Sequence, residues 1–254
     1  MFTKAFLQEL GNGKLRIEEQ LLRAECERRG VPVALYLAKH MQRRRLPLTG
    51  ETFVAGDIDA LHAAMQQLKI VPPPPNDYPE SLSPFLHRRV WKSTLGAIEQ
   101  RFMDDGSEPV FVKPAQRRKN FRGRVFASSD EFREIGSVSR RQEVWCSEVV
   151  QWRAEFRVYV IGPDVVSIDH YCGNRDLRLD RATLDNALEI FRSSGQAPSA
   201  YGIDFGVLPG GQTALIEAND GFALGAYDID GSAYTDLVMT RWRELVSGGG
   251  GSNQ

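Results

Sequence analysis

Apolar residues recur along this chain with a helical spacing in some segments and a strand spacing in others, and the switches between the two mark its elements. Leu15 to Arg29 carries an amphipathic helical pattern stopped by Gly30. Val31 to Leu37 and Thr52 to Ala55 read as strands, and Ile58 to Leu68 as a helix with Asp57 as its N-cap. This alternation predicts a small N-terminal α/β lobe over residues 1–75. Pro72 to Pro75 with Asn76-Asp77 is the clearest linker and sets the boundary with a second unit, residues 76–246.

In that second unit the segment Leu86 to Arg101 reads as helical in its second half, with helical spacing placing Arg88 and Lys92 on one face. Val110 to Lys113 reads as a strand stopped by Pro114, and Asp130 to Phe132 as the start of a helix. Glu143 to Val150 is β-like, and Arg157 to Ile161 with Val165 to Tyr171 forms a hairpin around Gly162-Pro163-Asp164. A helix over Ala182 to Phe191 and a closing helix over Ala233 to Leu245 follow the same logic, and no internal repeat is present. Residues 247–254 are glycine and polar residues, which predicts a flexible tail.

The pattern is most informative at Tyr201 to Val207 and Gln212 to Asn219, two β-like runs flanking Gly210-Gly211. A turn centred between those glycines sets Asp204 opposite Glu217, and strand alternation adds Asn219 to the same face. Ile203, Phe205, Ile216 and Ala218 fall on the other face, as a core requires. Two carboxylates opposed across a strand pair repel. An arrangement of two carboxylates and a carboxamide points to a cation between them, and oxygen-only ligands suit Mg²⁺ better than zinc. The alternative is a surface coincidence.

Other residues carry candidate chemistry of their own. Lys113 ends an apolar strand beside proline, a placement that presents a compact cation to phosphate oxygens or simply leaves it exposed. Lys92 is a second candidate phosphate ligand. The basic stretch Gln116 to Arg124 reads as a cap over a polyanion or as a solvated face, and with one glycine it is no P-loop. Glu148, Val149 and Val150 end a β-like run and enter a connector that can supply an apolar slot and backbone groups to an adenine edge. Glu155 and Arg157 share a strand face, as an ion pair or as an arginine aimed at a phosphate. His170 reads as structural.

Composition narrows the field. The chain has 254 residues and a formal net charge of -1, so nothing global draws it to nucleic acid or an anionic membrane. The runs Arg43-Arg44-Arg45 and Arg117 to Arg124 lack flanking aromatic pairs, which argues against nucleic acid as a partner. No run reaches membrane-spanning length and the first residues lack a signal-peptide core. Cys26, Cys146 and Cys172 match neither a zinc spacing nor a disulfide framework, which fits a cytoplasmic location.

The order Lys92, Val-Phe-Val-Lys113-Pro, Ser-Glu148-Val-Val, Glu155-Phe-Arg157, Gly-Ile-Asp204 and Ile-Glu217-Ala-Asn219 resembles the ATP-grasp superfamily. The resemblance covers roughly Leu86 to Leu245 and is strongest to a clade of small phage and bacterial ATP-grasp ligases marked by one arginine and two lysines. Leu215 to Tyr227 is its most specific piece. It implies an α+β fold in which two lobes grip ATP, here preceded by the small N-terminal lobe. It also implies phosphate contacts from Lys92 and Lys113, and adenine at Glu148, Val149 and Val150. Glu155 is carried with that nucleotide site, Asp204, Glu217 and Asn219 would hold Mg²⁺, and Arg157 would face the transferred phosphate. The implied activity is amide formation from a carboxylate and an amine, small molecules or peptides, through an acyl-phosphate, with ATP and Mg²⁺ as cofactors. A phosphotransferase or an ATP-binding module on the same scaffold is the alternative, and a homo-oligomer is left open. The phosphate-covering loop departs from the usual glycine-rich form by being basic, and the acid that often contacts ribose after the connector is replaced by Gln151 and Trp152. The short N-terminal lobe implies that acceptor recognition is minimal or supplied by a partner.

Overall fold

Parallel strands need crossover connections, and the N-terminal part of the chain is built from them. The computed structural model describes residues 2–105, 108–116 and 121–249. Strand β1 (Lys4–Gln8) lies between β2 (Val33–Tyr36) and β3 (Thr52–Ala55), parallel to both. Helix α1 (Ile17–Arg28) provides the first crossover, α2 (Ala38–Gln42) lies in the second, and α3 (Ile58–Gln67) follows β3. Asp57 caps α3 by accepting a hydrogen bond from the Ala60 amide at 2.8 Å. Strand β1 has no counterpart in the sequence reading. Ala5, Phe6 and Leu7 are buried as a short unbroken apolar run, which lacks the alternation that marks a one-faced strand. β2 starts at Val33 rather than Val31, where Pro32 offers only its carbonyl, to the Ala5 amide at 2.9 Å.

The second layer is an antiparallel sheet in the order β4 (Val90–Thr94), β7 (Glu143–Glu148), β5 (Val110–Pro114), β6 (Arg124–Phe126). Helix α4 (Leu95–Asp105) buries Leu95, Ile98 and Phe102 with Val110, Val112, Val144 and Cys146. Lys92, Trp145 and Lys113 therefore share the other face. The expected helical face joining Arg88 to Lys92 is overturned. Val90, Trp91 and Thr94 favour a strand, and residues 90–94 pair with β7, so helix begins only at Leu95. Asp130–Arg133 makes one 3-10 turn in place of a helix. Residues 117–120 of the basic stretch lie outside the described residues.

The third layer is the antiparallel sheet β11 (Thr213–Asp220), β10 (Ala200–Val207), β8 (Ala154–Ile161), β9 (Asp164–Gly173). Helix α5 (Arg181–Ser193) covers one face through Leu184, Ala187, Leu188 and Phe191. The predicted hairpin exists, with Gly211 in the left-handed region at φ 86°. Its register differs from the expected one. Phe205 pairs with Leu215, so the turn is centred one half-step earlier, and a bulge at Ile216 then restores Asp204 opposite Glu217. Leu215, not Ile216, consequently joins the buried face.

Helix α6 (Gly231–Gly249) ties the layers together and takes in Ser247 to Gly249 of the segment expected to be tail; residues 250–254 lie outside the described residues. Its Trp242 is buried and donates from Nε1 to the Thr52 carbonyl at 2.9 Å. The core beneath it is continuous from Phe6, Leu22 and Phe53 to Tyr159, Phe222 and Leu237. Asp77 of the linker accepts a backbone hydrogen bond from Ala218 at 2.8 Å, fastening the linker to β11. Trp242→Ala should therefore destabilise the fold by about 3–5 kcal/mol, read as a lower urea midpoint by circular dichroism with one transition retained. An unchanged midpoint would show that α6 does not couple the N-terminal strands to the rest.

Candidate functional site

Antiparallel pairing sets a line of side chains across the face of the third layer that α5 leaves uncovered. Arg157 on β8 stands between Asp169 on β9 and Asp204 on β10, and Asp204 stands opposite Glu217 on β11. Arg157 donates to Asp204 through Nε at 2.8 Å and Nη2 at 2.7 Å, a two-pronged contact between side chains that are 8% and 3% exposed as residues. Glu217 is met from the facing lobe by Lys113 Nζ, which also bridges to Asp77 at 2.7 Å. Asn219 Nδ2 lies 3.3 Å from an Asp204 oxygen and 3.4 Å from a Glu217 oxygen. The sequence-predicted residues Lys113, Arg157, Asp204, Glu217 and Asn219 are thus brought together.

Electrostatics in this row are uneven. Burial pushes the Asp204 carboxyl up, and Glu217 and Glu155 push the same way against Arg157. Burial alone would lower the Lys113 ammonium, but Glu217 and Asp77 outweigh it and the net shift is upward. Burial likewise opposes the charge on Arg157, and its hydrogen bonds to Asp204 raise it overall. Asp204 beside Glu217 is the one like-charge step, and each carboxylate is neutralised from its outer side. The donor set fits a hard cation: two carboxylates of opposed strands and an amide that presents its oxygen once turned over.

Lys92 lies on β4 with Nζ 4.9 Å from the centre of the Trp145 ring. Trp145 is the cross-strand partner of both Lys92 and Lys113, so the two lysines flank one indole. Glu148 ends β7 with its carboxylate accepting from the Arg89 amide at 3.0 Å, and Val149 and Val150 follow as irregular chain. Trp152, further along this connector, packs on Gly206, where an added Cβ would lie 2.3 Å from the ring. Glu155 accepts from the Tyr171 hydroxyl at 3.1 Å, and a bulge between Glu155 and Phe156 offsets it in the pairing with β9.

Several participants were not foreseen. Asp77 gave no signal beyond an acid at a linker end. Tyr78 next to it stacks edge-on against Trp145 at 5.0 Å and lies under the Lys113 ammonium at 4.5 Å. Tyr227 stacks on Tyr171 at 4.9 Å and carries the Arg157 guanidinium 5.2 Å above its ring; its place in the segment Leu215 to Tyr227 was the available signal. Beside Glu217 and Asn219 opens a cavity of about 880 Å³ bounded by Pro73 to Pro75, Asp59, Gln116 and Tyr201. It runs along the outer edge of β11, between Glu217 and the start of α3 at Ile58 and Asp59.

Residues 85–237 match the model of an ATP-grasp domain family, the second family of the clade named for one arginine and two lysines, and the chain belongs to that family. Among solved structures, it is similar to a RimK domain ATP-grasp protein from Sphaerobacter thermophilus DSM 20745, with 16% identity and a TM-score of 0.52 over 97% of each chain. It is similar to the N5-carboxyaminoimidazole synthase of Aspergillus clavatus, with 11% identity and a TM-score of 0.52 over 94% of this chain and 78% of that one. The ATP-grasp ligase PsnB, complexed with precursor peptide PsnA2 and AMPPNP, gives 10% identity and a TM-score of 0.51 over 94% and 97%. These likenesses show the ATP-grasp fold, an α+β architecture. None of the curated proteins matches the chain.

Asp204→Leu strands the buried Arg157 charge and should cost about 3–5 kcal/mol of stability. The Asp204→Leu, Arg157→Met pair should recover part of that loss in urea unfolding. Equal stability of the single and double variants would show that the two residues do not act as a buried pair.

Proposed function

We propose that this ATP-grasp protein is an ATP- and Mg²⁺-dependent carboxylate–amine ligase. The observation that carries the reading is the like-charge step Asp204–Glu217, closed on one side by Arg157 and on the other by Lys113 of the facing lobe. Such a step is unfavourable by itself and would be relieved further by a divalent cation, which would also offset the charge of ATP phosphates. Asp204, Glu217 and the Asn219 amide oxygen would hold that ion, which neutralises phosphate charge when bound. Lys113 and Lys92 would turn to the phosphates, which offer the negative charge that Glu217 now gives Lys113. Backbone groups of Glu148, Val149 and Val150 would take the adenine edge, with Glu155 at the border of the nucleotide site. Arg157 would exchange one of its Asp204 contacts for the transferred phosphoryl group, stabilising charge where it develops.

The reaction is then ordinary group transfer. A carboxylate oxygen attacks the γ-phosphorus, ADP leaves, and an acyl-phosphate forms. An amine attacks the acyl carbon, phosphate leaves, the nitrogen loses a proton, and an amide results. The cavity beside Glu217 and Asn219 would be the acceptor's approach to this point, a reading supported by its opening next to two of the three metal-site residues. The PsnB complex with a precursor peptide supports peptides as a substrate class within the fold. The cytoplasm, where ATP and Mg²⁺ are both at hand, is the proposed location. No helix among the described residues is long and apolar enough to cross a membrane.

MgATP at 100 times its Kd should stabilise the protein by about 2.7 kcal/mol, and release ADP once a carboxylate and an amine are supplied, the amide being identified by mass. A phosphorylated product in its place would establish a phosphotransferase. Glu217→Ala should abolish turnover while keeping the fold, since Asp77 still pairs with Lys113 at 2.7 Å; normal activity at ordinary Mg²⁺ would contradict the metal assignment. Lys113→Ala should weaken ATP binding and spare adenosine binding; equal losses would remove Lys113 from the phosphate site.

A further inference from the structure

The geometry points to Arg88 as the residue that positions Glu217, by holding open the β-bulge that sets Glu217 opposite Asp204. The inference rests on the Mg²⁺ reading above and adds to it a residue outside the ligand set.

Near the turn, β10 and β11 run in one register, with Val207 opposite Thr213, Gly206 opposite Ala214 and Phe205 opposite Leu215. Continued without interruption, that register would set Asp204 opposite Ile216 and Ile203 opposite Glu217. Ile203 is fully buried under α5, so Glu217 and Asn219 would turn into the core and Ile216 and Ala218 would take the acidic face. One extra residue, Ile216, prevents this. Beyond it Asp204 faces Glu217, Ile203 faces Ala218, and Gly202 faces Asn219. The site exists because of the bulge.

A bulge costs ladder bonds, and β11 is an edge strand, met on its outer side by the linker where the Ala218 amide donates to the Asp77 carbonyl at 2.8 Å. At the bulge itself the donors come from Arg88. Its Nη1 donates to the Leu215 carbonyl at 2.6 Å and its Nη2 to the Ile216 carbonyl at 3.0 Å, the two carbonyls on either side of the extra step. Nη1 also donates to the Leu86 carbonyl at 3.1 Å, which fixes the guanidinium to its own strand entry. The guanidinium lies 5.3 Å from the Trp152 ring. The group is half-buried, and burial pulls its pKa down. Arg88 also hydrogen-bonds the Tyr78 side chain and is attracted by Glu217, and a desolvated arginine with two donors on the carbonyls of one irregular point of an edge strand fits a register clamp better than a solubilising charge. A planar fork holds two successive carbonyls in a fixed geometry, which a single rotating ammonium does less well.

The test compares wild type, Arg88→Met and Arg88→Lys for ATP affinity across a Mg²⁺ series, for adenosine affinity without Mg²⁺, and for amide hydrogen exchange over residues 213–220. Arg88→Met should raise the Mg²⁺ half-saturation by about tenfold or more, leave adenosine affinity unchanged, and speed exchange in 213–220 alone. Arg88→Lys should show the same changes at smaller size, and it supplies the readouts if Arg88→Met does not fold. Unchanged exchange in 213–220, or equal loss of Mg²⁺-dependent and adenosine binding, would overturn the role of Arg88. Wild-type ATP affinity that ignores Mg²⁺ would instead overturn the metal reading, and the exchange result would still decide whether Arg88 holds the register.

Discussion

Everything at this site depends on one unfavourable juxtaposition, Asp204 against Glu217 across an antiparallel strand pair. Strand pairing fixes it and the side chains cannot escape it, since Asp204 is 3% exposed and its neighbours on the other face are core. The surrounding cations answer this constraint. Arg157 pairs with Asp204 from within the same sheet, and Lys113 reaches Glu217 from the facing lobe. The contact from Lys113 also brings the second and third layers together, with Asp77 of the linker as its other partner. The pairs holding the lobes together are thus the groups that would bind MgATP. On the proposed function, ligand entry would be an exchange of partners in which buried charge stays compensated.

Much of this was legible in the sequence because it follows from strand parity. Glu155 and Arg157, or Glu217 and Asn219, must share a face whatever the detailed register. The helices α1, α3 and α5 were legible from amphipathic spacing, α1 and α3 also from the end signals Gly30 and Asp57. What escaped was set by tertiary context. β1 is a short apolar run that makes sense only between two parallel strands. β4 reads weakly because Lys92 and Thr94 interrupt its apolar pattern, and its strand state comes from pairing with β7. The bulge at Ile216 depends on Arg88, more than a hundred residues earlier, and a hairpin read locally cannot include it. The right pairing of Asp204 with Glu217 came from a turn placed half a step off, which the bulge then corrects.

The same limit applies to the aromatic residues. Trp145 between two lysines and Tyr227 beneath Arg157 look like ordinary core residues in one dimension. In the fold they lie against the cationic side chains of the site, and Tyr78 and Trp145 make a low-dielectric wall along Lys113. That wall strengthens whichever anion Lys113 faces, the Glu217 carboxylate or a phosphate. The cavity beside Glu217 has different walls, drawn from the proline linker, Ile58 and Asp59 of α3, and Phe191, Tyr201 and Arg241.

The most direct measurement is a crystal structure with a non-hydrolysable ATP analogue and Mn²⁺ in place of Mg²⁺, with the metal located by its anomalous signal. The account places the metal between Asp204 and Glu217, at a separation of about 2.1 Å from their oxygens for Mg²⁺ itself, with Lys113 turned from Glu217 to a phosphate. Nucleotide bound elsewhere, or bound here with the metal absent and the Lys113–Glu217 pair intact, would contradict it.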